Sequence, residues 1–209
     1  MLKRRHVGMG IAVGLTALAI TPMVVTGIER LQARETAGLL PQEGTTANSP
    51  QRSAVVFFSR SGNTALLARY LARRLNAGLY RLEAQDYALG LLGWANALRD
   101  AQDHEADIST PEIDFSVYET IYLGSPIWMF SPAPPIWQFV ASQRFDGKRV
   151  VLFNTFNSRF KAEFMEQFQL LVLQRGARSF EHQFVRRGRM GWQLPPQAML
   201  DAFNASWRA

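Results

Sequence analysis

Ser59, Arg60, Ser61, Gly62, Asn63 and Thr64 follow directly on the apolar run AVVFF (Ala54 to Phe58), and leucines at helical spacing, Leu67, Leu71 and Leu75, come next. Hydroxyl and amide side chains around one glycine, at a strand-to-helix joint, suit a phosphate monoester. Gly62 permits a tight turn and close backbone approach. The unpaired N–H groups of the loop and of the helix start point outward with the positive end of the helix dipole behind them. Ser59, Ser61, Asn63 and Thr64 add neutral donors. The hexapeptide lacks the lysine of a P-loop, which argues against a nucleoside triphosphate with magnesium. A plain helix cap uses the same residue types, so the hexapeptide alone leaves both readings open.

Two further stretches carry site chemistry. YLGSPIWMFSPAPPIWQF (Tyr122 to Phe139) places Pro126, Ile127, Trp128 and Met129 just beyond an apolar run. Trp128 there is either a wall for a flat aromatic ligand or an ordinary core ring. NTFNSRF (Asn154 to Phe160) follows another apolar run and offers Asn154, Thr155 and Asn157 as polar groups and Phe156 as a packing face, with Arg159 and Lys161 nearby. Asn157 or Ser158 capping the next helix is an equal reading. Arg186, Arg187 and Arg189 offer charge to a pyridine-nucleotide phosphate, a lipid headgroup or a partner protein, or else form an exposed turn.

Other chemistries are excluded or disfavoured. There is no cysteine, so disulfides, thiolate catalysis and cysteine-ligated metals are out. The three histidines, His6, His104 and His182, are scattered, which argues against a metal site. No histidine or carboxylate pair adjoins the motifs, so no catalytic residue is assigned. Net charge is +6, but nine acids face one base, Arg99, between Glu83 and Glu119, while eleven bases and five acids follow from Arg144 onward. That basic half would suit an anionic ligand or membrane, or simply be a solvated surface; no nucleic-acid motif is present.

The elements that must position these residues alternate. Five strands are expected: Ala54 to Phe58, AGLYRLEA (77–84), ETIYLGS ending at Gly124, RVVLFNT (149–155) and RSFEHQFV (178–185). Helical patterns lie between and after them: a helix plus loop in LGLLGWANALRDAQDHEADIS, then Pro135 to Ser142, Phe160 to Arg175 and Pro196 to Trp207. Alternating β and α segments predict an α/β fold, a doubly wound five-stranded parallel sheet covered on both faces. Ligands of such sheets sit outside the carboxyl ends of the strands.

The chain start is of a different kind. Lys3, Arg4 and Arg5 precede a stretch without formal charge from Val7 to Ile28, long enough for a bilayer-spanning helix. The positive-inside rule then sends the domain to the outer (periplasmic) side. A retained signal-anchor at the cell membrane and a cleaved signal peptide of an exported protein both fit, with ALA at Ala17 to Ala19 as a cleavage position. Arg4-Arg5 partly matches a twin-arginine signal. The expected organisation is 1–30 anchor or signal, 31–52 flexible linker and 53–209 folded domain.

SRSGNT resembles the first loop of the flavodoxin family, Ser/Thr-x-Thr-Gly-Asn-Thr, with Ser61 in place of the middle threonine. GSPIW with the following APP (Ala133 to Pro135) is similar to the loop after the third strand in flavodoxin-like proteins of the Gly-x-Pro-Ile-Trp-Trp type, Met129 standing where a second tryptophan is common. The resemblance implies strand order 2-1-3-4-5 and three layers. It implies FMN as cofactor, its phosphate at Ser59, Ser61, Gly62, Asn63 and Thr64 and its ring at Pro126, Ile127, Trp128, Met129, Thr155 and Phe156. The family's third loop is usually glycine-rich, and this one has no glycine. The implied function is electron transfer or FMN-dependent oxidoreductase chemistry on a quinone-like acceptor, with a redox protein, NAD(P)H or quinone as partner. The alternative is a binding or assembly module that has lost FMN.

Overall fold

The computed structural model describes residues 23–39, 51–188 and 192–207. Helix α1 spans 23–37. Strand β1 (Ser53–Phe57) leads to α2 (Asn63–Leu75), then β2 (Gly78–Arg81) and α3 (Leu91–Arg99). Strand β3 (Thr120–Trp128) turns into the two-residue β4 (Ser131–Pro132) and α4 (Pro134–Ser142). The chain continues through β5 (Arg149–Phe156), α5 (Ala162–Gln174), β6 (Ser179–Arg186) and α6 (Pro196–Ser206).

The sheet order is β2-β1-β3-β5-β6, every one of these neighbours parallel, with β4 paired antiparallel to β3 off this path. Leaving out β4, this is the expected order of five parallel strands. The expected end of the third strand at Gly124 is four residues short, because β3 runs on to Trp128 and pairs with β4.

Alternation along each strand divides the core in two, as a sheet covered on both faces requires. Val55 and Phe57 pack with Leu66, Leu67 and Leu71 of α2 and with Met199, Leu200 and Phe203 of α6. Ala54, Val56, Leu123 and Leu152 face the other way, onto Ile136, Phe139 and Val140 of α4 and Phe168 and Val172 of α5. Gly124 sits where strands and rings crowd: a Cβ there would collide with the Phe153 ring and Phe57 Cβ. Pro134 and Pro135 open α4, where a missing N–H costs nothing.

Residues 31–37, expected in the linker, are instead the second half of α1. The sequence hides this because the helix is inside out. Thr26, Glu29 and Thr36 are buried, while Met23, Val24 and Leu31 are exposed, so its inward stripe is polar and carries no hydrophobic signature. Among the described residues no helix is long and apolar enough to cross a membrane. The charge-free run from Val7 lies outside the described residues up to residue 22, and so do linker residues 40–50 and Arg189.

Candidate functional site

Strand order reverses between β1 and β3, since the chain leaves β1 for β2 on one side and returns to β3 on the other. At their carboxyl ends lies a cavity of about 250 Å³. Ser59, Ser61, Asn63, Thr64, Pro126, Ile127, Trp128, Met129, Thr155 and Phe156 all line it, drawn from the ends of β1, β3 and β5. Gly62 is at the turn itself, in the left-handed region at φ 91°, and precedes the first residue of α2.

The turn is rich in unspent donors. Phe58 N–H still donates to Gly124 O (2.9 Å), but the N–H groups of residues 59–65 have no backbone acceptor among the described residues. No side chain caps α2. Ser59 Oγ and Asn63 Oδ1 are buried without hydrogen-bond partners. Buried polar atoms are rarely left so: the Ser59 hydroxyl, beside the free N–H groups of a helix start, can donate to the oxygens of an anion, whereas Asn63 Oδ1 accepts and calls for a donor such as a ligand hydroxyl. Were Asn63 or Ser59 merely a cap, its oxygen would be occupied by a backbone N–H.

The hairpin from β3 to β4 forms one wall of the cavity through Trp128 and Met129. Trp128 pairs with Ser131, so only Met129 and Phe130 make the turn, with φ of 42° and 78°. Two positive φ values are what a tight hairpin needs, and Asn-Gly is the usual choice. The turn is held from below: Ala133 N–H donates to Ser125 Oγ (3.0 Å), and Trp137 Nε1 donates to Ser131 Oγ and Pro132 O (3.1 Å each). Lys161 N–H donates to Phe130 O, and the Arg159 and Lys161 cations lie 5.2 and 5.8 Å from the Phe130 ring centre. Those two cations therefore brace the hairpin, and neither lines the cavity.

Trp128 is both of the things the sequence allowed. Its ring meets Phe58 and Tyr87 edge to face, at 5.5 and 5.2 Å, and it also lines the cavity. Burial and nearby Asp100 push the Tyr87 hydroxyl up to about 12, so it stays protonated. The glycine-free third loop is tied into the site in its own way. Thr155 Oγ1 lies 2.8 Å from Thr64 Oγ1, and Asn154 Nδ2 donates to Ser125 O (2.8 Å). Asn154 Oδ1 meets His182 Nε2 at 2.8 Å, and burial pulls that imidazole down to about 4, so it is neutral near pH 7.

Several lining residues escaped the sequence reading: Glu29 and Gln32 of α1, Trp94 and Leu98 of α3, and Gln193. The α1 contacts are close. Glu29 forms an ion pair with Arg60, Gln32 bonds Gln193, and Thr36 Oγ1 occupies the space a Cβ on Gly62 would need. Burial raises the Glu29 carboxyl while the Arg60 charge opposes that rise. Arg60 Nη2 also donates to Gly90 O (3.1 Å). Nothing in the periodicity of 23–37 marks these contacts; the acid at 29 and its basic partner at 60 are too far apart in sequence to be paired by inspection.

The residues present fit a phosphate-bearing flavin: the Ser59 hydroxyl and free N–H groups at one end, Pro126 to Met129 and Phe156 at the other. The sequence model of the family described as Flavodoxin matches residues 52–170. No curated relative matches the chain in sequence. Among solved structures, a Bacteroides uniformis protein described as a flavoprotein is similar at TM-score 0.54 and 22% identity, over 66% of this chain and 93% of that one. A Lactobacillus acidophilus flavoprotein, solved in complex with FMN, is similar at TM-score 0.52 and 20% identity, over 63% and 93%. With the fold, the strand order and the family match in agreement, the chain belongs to the flavodoxin family, whose cofactor is FMN.

Proposed function

We propose that the chain is a redox protein that uses FMN to carry electrons or to reduce a quinone-like acceptor, on the outer side of the membrane as an anchored or exported domain. The observation that carries the cofactor part is the run of unpaired N–H groups at residues 59–65 beside the buried, partnerless hydroxyl of Ser59. Bound FMN supplies reversible two-electron, two-proton chemistry. The chain's own part is to hold the phosphate, set the ring against Trp128 and shape the environment that tunes it. No titratable side chain among Pro126 to Met129 or Thr155 to Asn157 is placed to move a proton, so solvent serves the ring.

The anchor or signal rests on Lys3, Arg4 and Arg5 before the apolar stretch from Val7 to Ile28. An acceptor soluble in lipid follows from that location and from the apolar side chains Met129, Leu98 and Trp94 at the cavity. A redox partner protein or NAD(P)H as donor remains part of the proposal.

Two observations favour a second reading, an FMN-free binding module: Glu29 brings a carboxylate into the cavity, and 250 Å³ is below the ~300–1,000 Å³ typical of small-molecule sites. The two readings separate in one experiment. Full-length protein in detergent is incubated with FMN, desalted and scanned in the visible. Retained flavin bands support the redox reading; a folded but colourless protein supports the module.

A further inference from the structure

Arg187 follows β6 directly and is 3% exposed. Its N–H donates to Phe156 O (2.9 Å) and its Nε donates to Leu194 O (3.2 Å). The rest of the guanidinium is less well served: Nη1 is buried and has no hydrogen-bond partner among the described residues. The side chain lines the same cavity as Ser59, Ser61, Asn63 and Thr64. An arginine keeps its charge in a protein interior, and a buried charge without a counter-ion is costly. Burial does disfavour this guanidinium's charge, and the acid acting on it, Glu35 of α1, forms no salt bridge with it.

The charges around the cavity do not cancel. Among the described residues Glu29, Arg60 and Arg187 are its ionisable lining, and Glu29 is committed to Arg60. One buried positive charge is therefore left over, on Arg187. Two links fix where it stands. The Phe156–Arg187 backbone bond holds it against the end of β5, and the Thr155–Thr64 contact joins that same end to the first turn of α2. The surplus charge thus stands against the end of β5, whose Thr155 meets the first turn of α2.

We propose that Arg187 is a direct ligand of the FMN phosphate, a cationic donor delivered from the loop after β6 to a cradle whose other members are neutral. The assignment rests on the FMN reading above. It makes the site selective for a phosphate monoester dianion, because the neutral alcohol of riboflavin leaves Nη1 unpaired and gains nothing from the charge.

The test titrates full-length protein in detergent with FMN and with riboflavin, for wild type, Arg187→Met and Arg187→Lys. The readout is the ratio of the two dissociation constants. Arg187→Met should weaken FMN by about tenfold or more and leave riboflavin within about twofold, since hydrogen bonds to charged groups are the strong class. Arg187→Lys should fall between, keeping the charge but losing the planar fork. An Arg187→Met protein with the wild-type ratio, or one that loses both flavins equally, overturns the assignment and leaves a purely structural arginine. If Arg187→Met does not fold, an unchanged ratio in Arg187→Lys has the same meaning. Wild-type protein that binds neither flavin overturns the cofactor reading and the assignment with it.

Discussion

Thr64 Oγ1 and Thr155 Oγ1 stand 2.8 Å apart in the interior, so one bond between two hydroxyls ties the first turn of α2 to the end of β5. Thr64 is 1% exposed. Thr155→Val should leave its hydroxyl buried and unpaired, at a cost of about 1–3 kcal/mol. The double variant Thr64→Val/Thr155→Val should cost less than the two singles added, because both polar groups then disappear together. Denaturant midpoints for the four proteins of this cycle check it; simple additivity would show that the two hydroxyls do not interact.

Trp128 and Trp94 both line the cavity, but only Trp128 belongs to the loop assigned to the flavin ring. Trp128→Leu should weaken FMN and restore much of the fluorescence that an adjacent indole quenches. Trp94→Leu is the comparison and should change the quenching less. The reverse ranking in steady-state flavin fluorescence would move the ring from the β3–β4 hairpin to α3.

Met129 and Phe130 both hold positive φ without being glycine or asparagine. Each such residue costs roughly 1–2 kcal/mol. Met129→Asn should therefore raise stability by about 0.5–1 kcal/mol, seen as an upward shift of the melting temperature. Phe130 is the poorer target, since Arg159, Lys161 and the Lys161 backbone all engage it. A lower melting temperature for Met129→Asn would mean that the Met129 side chain contributes more packing than its exposed position indicates.

His182 gives the fold a defined acid sensitivity. Its imidazole sits at about 4 in the folded protein against 6.5 ordinarily, because burial disfavours the cation. The unfolded chain then binds the proton first. The stability His182 contributes is complete above pH 6.5 and is lost as pH falls from 6.5 towards 4, about 3 kcal/mol in all. His182→Gln keeps a partner for Asn154 and does not titrate. The loss of stability between pH 7 and pH 4.5, measured by urea unfolding, should be smaller in that variant than in wild type. Equal losses would assign the acid sensitivity to carboxylates such as Glu181, held down by its bond to Arg149.

The parallel sheet was legible because its strands are short apolar runs and its helices carry Leu67, Leu71 and Leu75, or Met199, Leu200 and Phe203, at helical spacing. The lining of the cavity by residues from three strand ends was legible for a related reason: in this topology the polar residues just after an apolar run fall on one edge of the sheet. What the sequence did not disclose follows from contacts without a periodic signal. Residues 23–37 turn threonines and a glutamate inward. Arg187 looked like one of three equivalent basic residues, yet Arg186 is exposed and Arg187 is not. Their difference is the in-and-out alternation of extended chain carried one residue past β6, with Val185 buried, Arg186 exposed and Arg187 buried.

The inside-out helix also decides where this protein can be divided. A chain begun at Ser53 keeps the whole sheet and both core layers, yet it loses Glu29, the one acid among the described residues that line the cavity. Arg60 would then lack its carboxylate, and the cavity would carry two uncompensated guanidinium groups in place of one. Such a fragment would hold polyanions from the cell extract more firmly than its parent does, and its apparent cofactor would in part reflect the cut.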